Sequence, residues 1–130
     1  MDNNYNGPNR RKFIRIPFHF PVRLVICGYD KESLKKDSGY VYAYCNNISL
    51  GGIRIQCDTK LKMGIFVKMK LVLPFDNLEN KMLHLIGQVI WSKKAEQNNN
   101  YVAGIQFVDL EKEDELILRQ FIKEALNSEK

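Results

Sequence analysis

The stretch Asn47-Ile-Ser-Leu-Gly-Gly-Ile-Arg-Ile55 begins as a polar loop and continues as a β-strand. Its first half contains short polar side chains and two adjacent glycines, Gly51 and Gly52, which allow positive φ and a close approach of another molecule to the backbone. Its second half alternates apolar and polar residues from Ile53 to Cys57, the period of a strand with one buried face. The stretch therefore predicts a β-fold with a candidate binding loop at the head of one strand.

Further strands are predicted on both sides of this stretch by the same alternation. The predicted strands cover residues 18–27, 40–45, 52–57, 67–73, 83–92 and 101–108. Polar or glycine-containing turns separate them, and residues 28–39 form a longer charged loop. Short strands at regular spacing are typical of a closed antiparallel barrel. We therefore expect a mainly β fold, a six-stranded antiparallel β-barrel.

The C-terminal segment has the period of a helix. Its apolar residues recur at helical spacing: Ile117, Leu118, Phe121, Ile122 and Ala125. Asp109 is a candidate N-cap, and acidic residues follow it where the helix dipole favours negative charge. We expect one amphipathic C-terminal α-helix of about four turns, which packs on the barrel or against a second subunit in a possible homodimer.

The composition is that of one globular domain with a basic surplus. The chain has 130 residues, 45% of them hydrophobic, and 20 Lys and Arg against 15 Asp and Glu give a formal net charge of +5. This surplus suits an anionic partner, which could be a nucleotide, a nucleic acid or a membrane surface. We divide the chain into a flexible lead-in over residues 1–8, a domain over residues 9–126 and a tail over residues 127–130.

Three features predict a cytoplasmic protein without a membrane span. Cys27, Cys45 and Cys57 are widely spaced and odd in number, which favours buried, reduced thiols. The N-terminus is polar, unlike a secretory signal. No apolar run reaches the roughly 20 residues that a membrane helix needs.

No catalytic or metal-binding pattern is visible in the sequence. The two histidines, His19 and His84, lie in predicted strands, without the spacing of a metal or Cys-His site. Ser49 is not part of a nucleophile elbow, and there is no phosphate-loop or dinucleotide fingerprint. We therefore expect a binding protein and not an enzyme, with no metal site and no cofactor.

A basic segment, Arg10-Arg-Lys-Phe-Ile-Arg15, precedes the first predicted strand. Pro17 favours extended backbone before it, and extended residues at even spacing point to the same side, so Arg11 and Arg15 can face one ligand. Each guanidinium can bind a phosphate, or the O6 and N7 edge of guanine, with paired hydrogen bonds. Arg10 can assist from the side. A solvated basic tail is the alternative explanation of this segment.

The ordered pair Arg11-x-x-x-Arg15 and Asn47-x-Ser49-x-x-Gly52 resembles the PilZ domain family, which binds the bacterial messenger cyclic di-GMP through an RxxxR motif and a [D/N]xSxxG motif. Weaker landmarks also resemble the family: Gly64 before a strand ending in Pro74, Gly87-x-Val89-x-Trp91, and Gly104-Ile105-x-Phe107 before the last helix. The resemblance covers the chain from about residue 9 to residue 126, and it implies a PilZ-like split barrel.

The resemblance also implies a ligand and the residues that hold it. By similarity, Arg11 and Arg15, with Arg10 beside them, grip the phosphates and the guanine edge of cyclic di-GMP. Asn47 hydrogen-bonds guanine, and Ser49 bonds the ligand from the loop. Gly52, next to Gly51, keeps the backbone low enough to admit the nucleotide.

The implied function is that of a cyclic di-GMP receptor or adaptor, whose arginine arm becomes ordered over the ligand and which signals to a protein partner. Two alternatives remain: a ligand-independent PilZ-like adaptor, and a small nucleic-acid-binding barrel, which is less favoured because the basic residues concentrate in one arm. Trp91 is interpreted as a core residue, with stacking on a base as the alternative. The tyrosines Tyr40, Tyr42 and Tyr44 fit a barrel face or an aromatic platform equally well. The number of bound nucleotides and the partner stay open.

Overall fold

Six long strands close into an antiparallel barrel, and a helix follows them. In the computed structural model, which describes residues 16–17, 19–35, 39–75, 80–96 and 98–128, the strands are β1 Ile16–Pro17, β2 Pro21–Ile26, β3 Gly39–Ile48, β4 Gly52–Cys57, β5 Phe66–Pro74, β6 Asn80–Lys94 and β7 Tyr101–Val108. The helix α1 spans Lys112–Ser128. The predicted six-stranded barrel with a C-terminal helix is therefore confirmed.

The strand order is β3-β2-β5-β6-β7-β4, and pairing of β4 with β3 closes the ring. The two-residue strand β1 pairs with the end of β3, on the same edge as β2. The backbone carbonyl of Phe20 accepts a hydrogen bond from the Cys45 N–H at 2.8 Å, between these two pairings. The predicted first strand, residues 18–27, thus corresponds to β2 and to part of the segment that joins it to β1.

The barrel interior is filled by alternate residues of every long strand. Fully buried side chains include Leu24 of β2, Ile55 of β4, Leu71 of β5 and Ile105 of β7. Residues at even spacing share one face of a strand, so their neighbours point outward. Burial of this inner set supplies the main stabilisation, about 25 cal/mol per Å² of apolar surface.

The helix covers one end of the barrel through an aromatic cluster. Phe121 makes edge-to-face contacts with Phe20, at 6.1 Å between ring centres, and with Phe75, at 5.7 Å. Leu118, Ile122 and Ala125 are buried with it. Offset and edge-to-face ring pairs of this kind add about 0.5–1.5 kcal/mol beyond their buried area, so the predicted packing of the helix on the barrel is confirmed.

Two local predictions are wrong. The loop predicted over residues 28–39 contains a short 3-10 helix, Lys31–Lys35. Asp109 does not cap α1, because it has a left-handed backbone with φ of 51° and its carboxylate pairs with the Lys31 ammonium at 3.1 Å. The carbonyl of Glu111 accepts the Glu115 N–H at 2.9 Å and so begins the helix.

Within the residues that the structure describes, no helix is both long and apolar enough to cross a membrane. The same residues contain no group of three or more His, Cys, Asp or Glu side chains that could hold a metal ion.

Candidate functional site

The loop between β3 and β4 is held in shape by Ser49. The Ser49 hydroxyl oxygen accepts hydrogen bonds from the backbone N–H of Gly51 at 3.1 Å and of Gly52 at 3.3 Å. The Ser49 N–H donates to the Gly52 carbonyl at 2.9 Å, and the side chain is only 5% exposed. The hydroxyl that the sequence assigned to a ligand therefore bonds the loop itself in this structure. Such local side-chain bonds are a common way to fix a tight turn.

Gly52 is required by the neighbouring strand. A Cβ atom at this position would overlap the carbonyl oxygen of Ile105 in β7. The backbone of Gly52 does not have positive φ, so conformational freedom is not what selects the glycine here. The close approach that the sequence predicted at Gly52 is made by β7 of the same chain.

A bulge in β3 turns Asn47 outward. The register between β3 and β4 shifts between Cys45 and Asn47, leaving Asn46 as an extra residue. As a result Cys45 pairs with Ile55 on the inside, whereas Asn47 pairs with Arg54 on the outside. Bulges of this kind re-aim side chains next to binding sites. Asn47 and Arg54 are therefore directly opposite each other on the barrel surface.

Asn47 and Arg54 belong to a continuous row across four strands. Arg54 pairs with Gly104 of β7, and Gly104 pairs with Trp91 of β6. We call Asn47, Arg54, Gly104 and Trp91 the outer row. Directly paired residues of antiparallel strands lie on the same side of the sheet, so the outer row lies on one exterior surface next to the Ser49 loop.

A second bulge places Trp91 in this row. The register between β6 and β7 shifts between Val89 and Trp91, so that Ile90 is the extra residue. Val89 stays in the core at 1% exposed, while Trp91 is half-buried and packs against Gly104, where a Cβ would overlap the indole ring. The interpretation of Trp91 as a core residue is therefore wrong, because the bulge reverses the inside–outside alternation after Val89.

Cations flank the indole of Trp91. The Arg54 guanidinium carbon lies 5.5 Å from the ring centre and the Lys93 ammonium lies 5.8 Å from it. A shallow hollow of about 310 Å³ adjoins them and includes Asn46, Gln56 and Lys94 in its lining. An aromatic face, forked donors and positive charge in one place are suited to a planar, anionic ligand.

The predicted arginines Arg10, Arg11 and Arg15 lie outside the described residues and remain predictions. Strand β1 begins one residue after Arg15, and its residues Ile16 and Pro17 pair with Ile48 and Asn47. The point at which the arginine segment joins the barrel is therefore beside the outer row and the Ser49 loop.

Sequence reasoning missed Arg54 and Gly104 as parts of the site. In the sequence, Arg54 is only one polar position of an alternating strand, and Gly104 is only a landmark of the family resemblance. The bulges at Asn46 and Ile90 decide which strand residues share a surface. No signal in a single sequence locates a bulge. A tryptophan and a glycine on neighbouring predicted strands are nevertheless a usable signal, because the glycine leaves room for the indole ring on the strand facing it.

Two exposed tyrosines lie on β3 next to the outer row, since Tyr44 pairs with Gln56, two positions along β4 from Arg54. Tyr42 and Tyr44 of β3 are 75% and 64% exposed. They line a hollow of about 440 Å³ with His19, and this hollow shares Asn46 and Gln56 with the one beside Arg54 and Lys93. Their exposure on the outside of β3 supports the interpretation of the tyrosines as part of a barrel face.

Comparison with known proteins gives a match to a protein family by sequence. The family model described as the PilZ domain matches residues 9–124. No curated protein sequence matches the chain at a significant level.

Three solved structures resemble the fold. The inhibitor of motility MotI/DgrA of Bacillus subtilis has a TM-score of 0.73 at 15% identity, with 93% of this chain and 54% of that chain covered. YcgR of Escherichia coli in complex with c-di-GMP has a TM-score of 0.65 at 17% identity, covering 92% and 47%. The PilZ domain of YcgR with c-di-GMP has a TM-score of 0.63 at 17% identity, covering 92% and 93%. The present chain thus spans about half the length of the first two proteins.

Proposed function

Because the chain belongs to the PilZ domain family, we propose that it is a cytoplasmic cyclic di-GMP receptor, with residues 9–126 as the binding domain, and that it signals to a protein partner. YcgR, a structural neighbour of this chain, was solved with c-di-GMP. In this proposal the protein is a binding module and not an enzyme, and it uses no metal.

The observation that carries the proposal is the pairing of β1 with the end of β3. The motif that contains Asn47 and Ser49 lies beside β1, and β1 follows the Arg11-x-x-x-Arg15 segment by one residue. Neighbouring strands lie about 4.8 Å apart, and an extended chain advances about 3.3 Å per residue. We propose that the arginine segment, which precedes β1 in the sequence, contacts a ligand bound on the outer row.

Each part of the site has a separate role in this proposal. Arg11 and Arg15, assisted by Arg10, bind the two phosphates and the O6 and N7 edge of guanine through paired charge-assisted hydrogen bonds. Asn47 bonds polar groups of a guanine ring. Ser49, whose hydroxyl holds the loop in the free protein, contributes mainly by fixing that loop.

Trp91 and Arg54 extend the surface on which the nucleotide lies. A guanine base can stack on the exposed part of the indole ring, an interaction worth about 1–3 kcal/mol per base in nucleic-acid complexes. Arg54 adds positive charge 5.5 Å from the ring centre. Their side chains support the proposal because a dianion with flat bases needs both features.

The proposed signal is a change of surface. Binding of the arginine arm over the nucleotide alters the exterior of the barrel beside β1 and the Ser49 loop, and a partner protein that recognises the bound form then shifts the population toward it. Since the ligand is bound and not consumed, the response reverses when its concentration falls.

Isothermal titration calorimetry with cyclic di-GMP tests the proposal. We expect a saturable heat with the wild-type chain and about 10- to 100-fold weaker binding for Arg11→Ala or Arg15→Ala, because a hydrogen bond to a charged group is worth about 1.5–3 kcal/mol. Lys12→Ala is the matched control, since it removes one positive charge of the same arm outside the motif. The fitted stoichiometry distinguishes one bound nucleotide from a stacked pair.

The same titration separates the alternatives. Absence of heat in a folded wild-type protein would favour a ligand-independent adaptor. Binding that ignores the base, falls steeply with salt and is reproduced by an oligonucleotide would favour a nucleic-acid-binding barrel.

A further inference from the structure

The charged residues of the barrel wall are all of one sign. No strand contains Asp or Glu between its stated ends, and the basic strand residues are Arg23, Arg54, Lys68, Lys70, Lys81, Lys93 and Lys94. The described acidic residues lie in loops, in the 3-10 helix and in α1. The exterior of the barrel is therefore a cationic surface, and the outer row accounts for only part of it.

A second group of these cations, Arg23, Lys68 and Lys70, lies on β2 and β5. Arg23 pairs with Tyr42 of β3 on one side and with Lys70 of β5 on the other, and Lys70 pairs with His84 of β6. The next row contains Tyr40, Val25, Lys68 and Ile86 in the same strand order. We call these two adjacent rows the tyrosine–lysine face. It uses β2 and β5, which take no part in the outer row.

This face combines exposed aromatic surface with fixed positive charge. Tyr40 is 59% exposed and Tyr42 is 75% exposed, and Met82 nearby on β6 is 51% exposed. The Arg23 guanidinium carbon lies 5.6 Å from the centre of the Tyr40 ring. Stacking on the ring orients the guanidinium along the surface, where it keeps its hydrogen-bond donors available.

A hollow lies between the cations. Its volume is about 290 Å³, and its lining includes Val25, Met69, Leu85 and Ile86 together with Arg23, Lys68, Lys70 and His84. Of the lining residues, Val25, Met69 and Leu85 are buried, which places them at the base of the hollow, whereas Arg23 and His84 are exposed. Apolar centres with a polar or charged rim, rich in Tyr, Arg and Met, are typical of protein–protein interfaces.

We propose that the tyrosine–lysine face binds an acidic segment of a partner protein, which inserts one apolar side chain into the hollow between Val25 and Ile86. Charge complementarity specifies the acidic character, because the strands of this face carry several cations and no carboxylate. The apolar floor of the hollow specifies the anchor. This site is distinct from the proposed nucleotide site, and it does not depend on it.

A protein segment fits this face better than a nucleic acid does. The row Arg23, Lys70 and His84 crosses two strand spacings, about 10 Å, which matches a few residues of extended peptide. Phosphate tracking needs a longer basic groove, and base stacking needs aromatic rings beside it along the strand. Here strand β2 lies between the tyrosines of β3 and the cations Lys68 and Lys70 of β5.

Selection of random peptides displayed on phage, with the immobilised full chain as target, tests the proposal. We expect the enriched peptides to combine Asp or Glu with a central Leu, Ile, Met or Phe. A fluorescent copy of an enriched peptide should bind about tenfold more weakly to Arg23→Glu/Lys70→Glu, because reversed charges across an interface repel. Lys60→Glu/Lys112→Glu is the matched control, since it makes the same change in net charge at exposed positions elsewhere and should bind normally.

Thermal denaturation establishes that each variant is folded, and Arg23→Gln/Lys70→Gln replaces the double reversal if that variant unfolds. Enrichment of peptides without acidic residues, equal loss of binding in the control, or failure to enrich any peptide that depends on Arg23 and Lys70 would overturn the proposal. If a short oligothymidylate binds more tightly than the enriched peptide, and Arg23→Glu/Lys70→Glu abolishes that binding, the face would be assigned to nucleic acid instead. None of these outcomes depends on whether cyclic di-GMP binds.

Discussion

The Arg54 guanidinium lies 5.5 Å from the centre of the Trp91 ring, although the two residues are on strands that do not pair with each other. Gly104 of β7 lies between their strands and has no side chain to separate them. A contact of a cation with an indole face is worth about 0.5–2 kcal/mol. Because Gly104 has no side chain, an aromatic ring and a cation that are distant in sequence come together across it.

Replacement of Gly104 by alanine should displace the indole ring. The added Cβ would overlap Trp91, and overpacking of this kind typically costs about 1–3 kcal/mol. The chain has one tryptophan, so its fluorescence reports this position alone, and we expect a red-shifted emission with a lower midpoint of denaturation. The penalty should shrink when Gly104→Ala is made in a Trp91→Ala background. A penalty that is unchanged in that background would place the strain elsewhere.

The architecture could be predicted from alternation, but the composition of the outer row could not. Periodicity placed every long strand, because inner residues such as Ile53, Ile55 and Ile105 must alternate with outward ones. The pairing register, and with it the meeting of Asn47, Arg54 and Trp91, depends on two single-residue bulges that leave no pattern in the sequence.

The motif residues illustrate the same limit. Ser49 and Gly52 were correctly placed at the head of β4, but their structural partners are the loop backbone and the Ile105 carbonyl. A short polar or glycine residue in a loop gives the same signal whether its partner is a ligand or the chain itself.

Ser49→Ala should destabilise the free protein. The change leaves the part-buried loop without the acceptor for two backbone N–H groups, and a lost buried partner costs about 1–3 kcal/mol. Chemical denaturation without ligand measures this cost. Ser49→Thr keeps the hydroxyl and serves as the control, so a smaller loss of stability is expected for it. If Ser49→Ala is as stable as wild type but fails to bind cyclic di-GMP, the hydroxyl acts on the ligand and not on the loop.

Gly52→Ala should lower stability in the absence of any nucleotide. Its Cβ would meet backbone of β7, which moves less readily than a side chain, so we expect a loss of about 2–3 kcal/mol and disturbed pairing of β4 with β7. The midpoint of thermal denaturation of the free chain measures the loss. An unchanged midpoint together with weaker nucleotide binding would show that the glycine is needed for ligand access alone.

Cys45 should make the stability fall at alkaline pH. Burial raises the pKa of this thiol from 9.0 to about 12, so between these values the unfolded chain releases a proton that the folded chain keeps. The folded state is therefore favoured below pH 9.0, and the free energy of unfolding decreases as the pH rises, by at most about 1.4 kcal/mol per pH unit from this group. Denaturant titrations at pH 8 and pH 10 measure the decrease, and Cys45→Ala should show a smaller one than the wild type, since the two proteins differ only at this thiol. An identical decrease in the two proteins would mean that the thiol has the same pKa in the folded and unfolded chains.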